Sequence, residues 1–176
     1  VERTFNMAGA MAYISLALDI AKSDEAKEYS GKTGMGLGQL ALAVSYNVKA
    51  KDAAGNFTVA GAQAFILGAL DCVALSDAVE FSNVTGMNLG QVGIAIASHD
   101  KSYKVKTQDA KDADGNVIKV KDEAGNMVAK QEIVERTFNM AGAMAYISLA
   151  LDIAKTDEAK EYSGKTGMGL GQLALA

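Results

Sequence analysis

Asp112-Ala-Asp114-Gly115-Asn116 has the residue types and spacing most suggestive of chemistry, with three oxygen-bearing side chains at alternate positions, as in calcium loops. Its glycine falls at the wrong step for an EF-hand and no distal glutamate follows. The sister turns Asp52–Asn56 and Asp122–Asn126 carry Ala54 and Ala124 where Asp114 sits. The pattern therefore reads as a recurring turn, with weak calcium binding at Asp112, Asp114 and Asn116 as the only metal candidate. Gly34-Met-Gly36-Leu-Gly38-Gln39 suggests a phosphate cradle, because glycine lets backbone amides approach an anion. However, its counterpart Gly86-Met-Asn88-Leu-Gly90-Gln91 lacks the middle glycine, and no Lys-Ser/Thr follows. A tight bend with close backbone packing explains the run better.

Asp19, Asp71 and Asp152 recur at one place, but a catalytic aspartate needs a partner, and the sole histidine, His99, lies in one connector only. Cys72 stands where the other copies have isoleucine, which marks a small core residue rather than a nucleophile. Gln39, Gln91 and Gln172 could form a side-chain ladder if copies stack in register. Asn56 and Asn83 match the glycosylation pattern. No Ser-His-Asp, Cys-His or metal cluster assembles, so no catalytic residue, no cofactor and no enzymatic activity is expected.

The elements that must position these residues are organised as a repeat. Residues 1–43 return as 134–176 with one change, Ser23 to Thr156, and Phe5–Val44 lies on Phe57–Ile96 without a gap, with 19 of 40 positions identical. Fixed-spacing repeats signal stacked architectures in which one unit cannot bury its apolar face alone. The divisions are a first module at 1–51, a diverged second at 52–98, a polar connector at 99–136 and a third module at 137–176. Because Val1 falls inside what the third copy presents as a connector, a piece of a longer array is expected.

Seventeen basic against 21 acidic residues, net charge −4, make no electrostatic case for nucleic acid. The composition, 49% hydrophobic with 22% charged residues, argues against disorder. Proline is absent, which suits uninterrupted ladders or helices. One cysteine leaves no intrachain disulfide.

Within a module, Met7–Ala21 fits either period: steps of two line up Ala8 to Ile20, and a helical stripe joins Ser15, Asp19 and Lys22. Phe65, Ile66 and Gly68 in the second copy favour strand. Ser23–Gly31 reads as a helical turn capped by Ser23 or Asp24 and closed by Gly31, with Asn83 as its counterpart. Leu40, Leu42, Val44, Tyr46 and Val48 alternate with small or polar residues and read as a long β-strand. Asp-x-x-Gly-Asn turns follow, and Tyr103–Lys106, Val117–Lys121 and Met127–Val134 make the connector a polar β-meander with lysine-protected edges. The turn and bend residues are thus Gly31, Gly34, Gly38, Gly55, Asn83, Gly86, Gly90, Gly115 and Gly125.

The stretches GMGLGQLALAVSYNVKAKDA, GMNLGQVGIAIASHD and MAGAMAYISLALDIAKSDEA resemble the glycine- and alanine-rich strand repeats of giant bacterial surface proteins of the filamentous-haemagglutinin and autotransporter-adhesin type. That resemblance implies an extracellular or cell-surface stalk or adhesin without an active site.

The expected fold is all-β, a tandem-repeat solenoid or stacked meander of long strands with short helical connectors. The alternative is an α+β repeat with helices near 8–30, 60–82 and 141–163. The expected function is a structural, non-enzymatic protein that self-stacks through its modules into a fibre, stalk or surface layer. A membrane β-barrel fragment and an α+β repeat binding module are the alternatives.

Overall fold

The computed structural model describes residues 7–47, 58–99, 104–121 and 125–176. It corrects the all-β expectation, because the modules are built from helices. The first holds α1 (Met7–Lys22), α2 (Asp24–Thr33) and α3 (Leu37–Asn47); the second α4 (Val59–Val73), α5 (Ser76–Thr85) and α6 (Leu89–His99). After the β connector come α7 (Met140–Lys155), α8 (Asp157–Thr166) and α9 (Leu170–Leu175). The helical alternative lies nearer, but each of its three long stretches is two helices meeting at a corner.

The alternation in the third segment of each module misleads for a physical reason. In α3 the buried positions are Leu40, Ala41, Val44 and Ser45, a helical stripe, while Leu42 points outward. In α6, Val92, Gly93, Ile96 and Ala97 repeat it. These helices bury small residues and leave some large ones exposed, so side-chain size marks the wrong face. Alanine-rich, proline-free segments are strong helix formers, and packing between modules decides the rest. The strands that suggested a membrane barrel are these helices. Among the described residues no single helix is long and apolar enough to cross a membrane.

The corners share their exits but not all of their entries, since Leu75 before α5 makes no side-chain cap bond. Ser23 and Thr156 cap α2 and α8, their side chains accepting from the Ala26 and Ala159 amides. At the other end, Gly34, Gly86 and Gly167 take φ of 71°, 71° and 73°, the left-handed conformation that glycine adopts without strain. The hydroxyls of Thr33, Thr85 and Thr166 donate back to the carbonyls of Tyr29, Phe81 and Tyr162, and accept from the amides of Met35, Met87 and Met168. The helix stop thus falls three residues beyond Gly31, and Gly31 and Asn83 are helical.

In the connector, β1 (Lys104–Asp109) pairs antiparallel with β4 (Gln131–Thr137), and β2 (Lys119–Lys121) with β3 (Met127–Ala129). β1 and β4 close the arm around β2 and β3, and just beyond β1 an isolated antiparallel bridge joins Lys111 to Val117 across the Asp112–Asn116 turn, so the meander expectation holds locally but the long pairing is β1 with β4. Among the described residues the sheets are two-stranded and helix predominates, which corrects the expectation of a β-rich chain.

The core runs through all three modules. Ile20, Tyr29, Leu40 and Val44 of the first join Phe65, Ile66, Phe81, Val92 and Ile96 of the second and Ile147 and Ala154 of the third.

Candidate functional site

The residues first considered for chemistry do not converge. Asp112 Oδ1 accepts from the amides of Asp114 and Asn116 at 3.0 and 2.9 Å, and the Asp112 amide donates to the Asn116 carbonyl at 2.9 Å. Those hydrogen bonds hold the exposed Asp112 carboxyl below its ordinary range, the Asn116 amide first. Gly115 and Gly125 have φ of 85° and 84°, as the turn reading requires. Gly55 and Asn56 lie outside the described residues. Among the described residues, no group of three His, Cys, Asp or Glu side chains is placed to hold a metal.

Asp71 pairs with Arg136 of β4 at 2.8 Å, Asp19 lies 3.5 Å from Lys22, and Asp152 is exposed. His99 stacks on Tyr146 with ring centres 4.0 Å apart and planes 6° from parallel. Cys72 is buried in the core. Gln39, Gln91 and Gln172 are exposed on α3, α6 and α9. Gly38 and Gly90 belong to helices rather than bends, and Gly36 lies between α2 and α3.

What the fold does build is a junction, used twice. Between the first two modules, Gly90 of α6 lies against the preceding module, where an added Cβ would come within 2.7 Å of Met35 Cβ and 2.8 Å of Thr33 Oγ1. Between the second and third, Gly171 of α9 repeats the contact: its Cβ would lie 3.1 Å from both Met87 Cβ and Thr85 Oγ1. Gly38, the same position in the first module, has open space. The glycine-rich run thus serves helix-on-helix approach rather than anion binding.

Each junction also has polar contacts of its own. At the first, the Tyr29 hydroxyl donates to the Gly90 carbonyl at 2.6 Å, Gln63 Nε2 donates to Glu25 Oε2 at 3.2 Å, and Asn88 Nδ2 donates to the Thr33 carbonyl at 3.3 Å. Tyr29 is fully buried, and that burial, with Cys72 adding, pushes its phenol well above the ordinary range despite a backbone hydrogen bond with Ile94. At the second, Lys155 and Glu80 pair at 2.6 Å, which raises the Lys155 ammonium.

Toward the two ends of the chain, several copies of junction residues are exposed. On the leading face, Met7, Met11, Ile14 and Leu18 form an exposed i, i+4, i+7, i+11 stripe along α1. On the trailing face, Ile153, Tyr162 and Met168 are exposed, although their counterparts Ile20, Tyr29 and Met35 are buried. The repeat in the sequence makes these comparisons possible: Ile14, Ile153 and Tyr162 are open where both of their copies are buried, whereas Met11 and its copy Met144 are both exposed. Separately, a cleft of about 560 Å³ opens between the end of α1, the start of α4 and the arm, with Lys22, Gln63, Lys121 and Lys130 on its wall.

Compared with protein-family models, curated protein sequences and solved structures, the chain matches none of them.

Proposed function

We propose that the chain is a structural, non-enzymatic repeat protein, a segment of an array whose modules stack through their end faces into a fibre, stalk or surface layer. The observation that carries this reading is the reuse of one junction in register, Gly90 on Thr33 and Met35, then Gly171 on Thr85 and Met87, with both outer faces carrying uncovered versions of it. A unit that cannot bury its apolar stripe alone gains stability from each neighbour, and the stack grows in one dimension. An extracellular or cell-surface setting, with adhesion as a further role, belongs to the same proposal and draws on the resemblance to surface-protein repeats.

The test is to lengthen the protein by one sequence period, the 133 residues that separate Val1 from Val134, and to measure the maximum dimension by small-angle X-ray scattering. A stacked array lengthens in proportion to its modules. Growth of the radius by the small power of chain length typical of a compact domain contradicts the proposal.

A second reading, a repeat that binds a partner, draws on the cleft beneath the arm. Its check is limited proteolysis of the arm: if ligand capture depended on the cleft, cutting β2–β3 would abolish it while leaving the helical circular dichroism intact.

A further inference from the structure

The two junctions are alike in backbone and different in chemistry, and the difference dictates which module follows which. Modules one and three are of a first kind, and module two is of a second kind. Where a first-kind module leads, its trailing face offers Tyr29, Glu25 and the Thr33 carbonyl. The second-kind module that follows answers with Gly93, Gln63 and Asn88. The glycine is required there, because a Cβ on residue 93 would sit 2.3 Å from the Tyr29 hydroxyl oxygen and 2.4 Å from Val73 Cγ1. Where the second-kind module leads, the equivalent positions hold Phe81 and Asp77 on one side and Ala174 and Met144 on the other: the hydroxyl is gone and the methyl is present, Phe81 and Ala174 are both buried, and Asp77 and Met144 line one small cavity.

At the positions of Gly93, Gln63 and Asn88 a first-kind module carries Ala41, whose methyl is buried within the module, and the exposed Met11 and Gly36. Brought behind another first-kind module, it would set a methyl against the tyrosine hydroxyl, and it would also lack the amides that Gln63 and Asn88 supply, as the second junction does at Met144 and Gly169. Steric overlap of this kind is a standard means of excluding a wrong neighbour.

Building on the stacking reading above, we infer that the open trailing face at Tyr162, Glu158 and Thr166 docks a second-kind module, one with glycine, glutamine and asparagine at the positions of Gly93, Gln63 and Asn88. Kinds therefore alternate along the array, and identical ends do not stack directly. The sequence period agrees, since a first-kind module returns only after a second-kind module and an arm have intervened.

The experiment is sedimentation equilibrium of the whole chain and two variants. Tyr162→Phe gives the trailing face the second kind's phenylalanine, compatible with Ala41; Tyr162 is exposed, so folding is undisturbed. The triple variant Met11→Gln, Gly36→Asn, Ala41→Gly instead gives the leading face the second-kind code, with circular dichroism checking that it folds. Each is expected to associate head to tail at least tenfold more tightly than the unmodified chain, and combining the two changes returns weak association. If the unmodified chain associates as tightly as both variants, stacking stands and alternation is overturned. If none of the proteins associates at any concentration, the stacking reading itself falls.

Discussion

The first and third modules differ by one residue, Ser23 against Thr156, yet the same side chains live in different surroundings. Ile14 is 54% exposed and its copy Ile147 is fully buried; Leu18 is 54% exposed and Leu151 only 5%. At the other end the order reverses: Tyr29 is fully buried and Tyr162 is 49% exposed. One sequence thus reports on two environments, and the difference isolates what a neighbouring module contributes. Burial here is a property of the junction rather than of the residue, as expected when stability is a sum over units and their interfaces.

The largest way to break the comparison is to truncate matched isoleucines. Ile147→Ala removes a filled core position and is expected to cost about 2–5 kcal/mol in urea unfolding. Ile14→Ala, on an open face, is expected to stay within about 0.5 kcal/mol. Equal losses would mean that the first module's stripe is covered. Next comes Gly93→Ala, whose new methyl would collide with Tyr29 and Val73; overpacking of this kind costs about 1–3 kcal/mol, read as a lowered midpoint.

Tyrosine sharpens the contrast further. Tyr29→Phe loses the hydrogen bond to Gly90 and is expected to cost about 1 kcal/mol, whereas Tyr162→Phe leaves the isolated chain's stability unchanged. The Tyr29 pair also has a pH signature. Burial raises the folded phenol above its ordinary 10.0, so the unfolded chain gives up that proton first. The stability held by the neutral phenol is intact below pH 10 and is lost as pH rises above it. Unfolding midpoints between pH 9 and 11 should fall more steeply for the unmodified protein than for Tyr29→Phe. The smallest effect is at the exposed Lys155–Glu80 pair, where Glu80→Gln should lower the unfolding midpoint only slightly, and less in high salt.

The sequence makes the repeat legible, along with the Ser23 cap with its acidic first turn and the approximate strands of the arm, because identity, capping chemistry and Gly-Asn turns are local signals. It misstates the secondary structure of the modules. Alternation of Leu40, Leu42 and Val44 with alanines imitates a strand because helix contacts here pass through Ala41 and Gly93, small enough to be buried without looking like core. The Gly31/Asn83 exchange points to a helix stop there, yet Gly34 holds the left-handed turn, a position where every copy keeps glycine. The docking code at Gly93, Gln63 and Asn88 is invisible without tertiary contacts, because its partners lie 38 to 61 residues away.

The most direct test of the repeated junction is denaturant unfolding of three matched substitutions, Gly38→Ala, Gly90→Ala and Gly171→Ala. Gly38 sits in a helix with open space, so alanine should stabilise by about 0.5–1 kcal/mol. Gly90→Ala should destabilise by about 1–3 kcal/mol, and Gly171→Ala by a smaller amount of the same sign. Stabilisation by all three would mean that the modules do not pack through this face, and the account of the fold as a stack of one junction would be wrong.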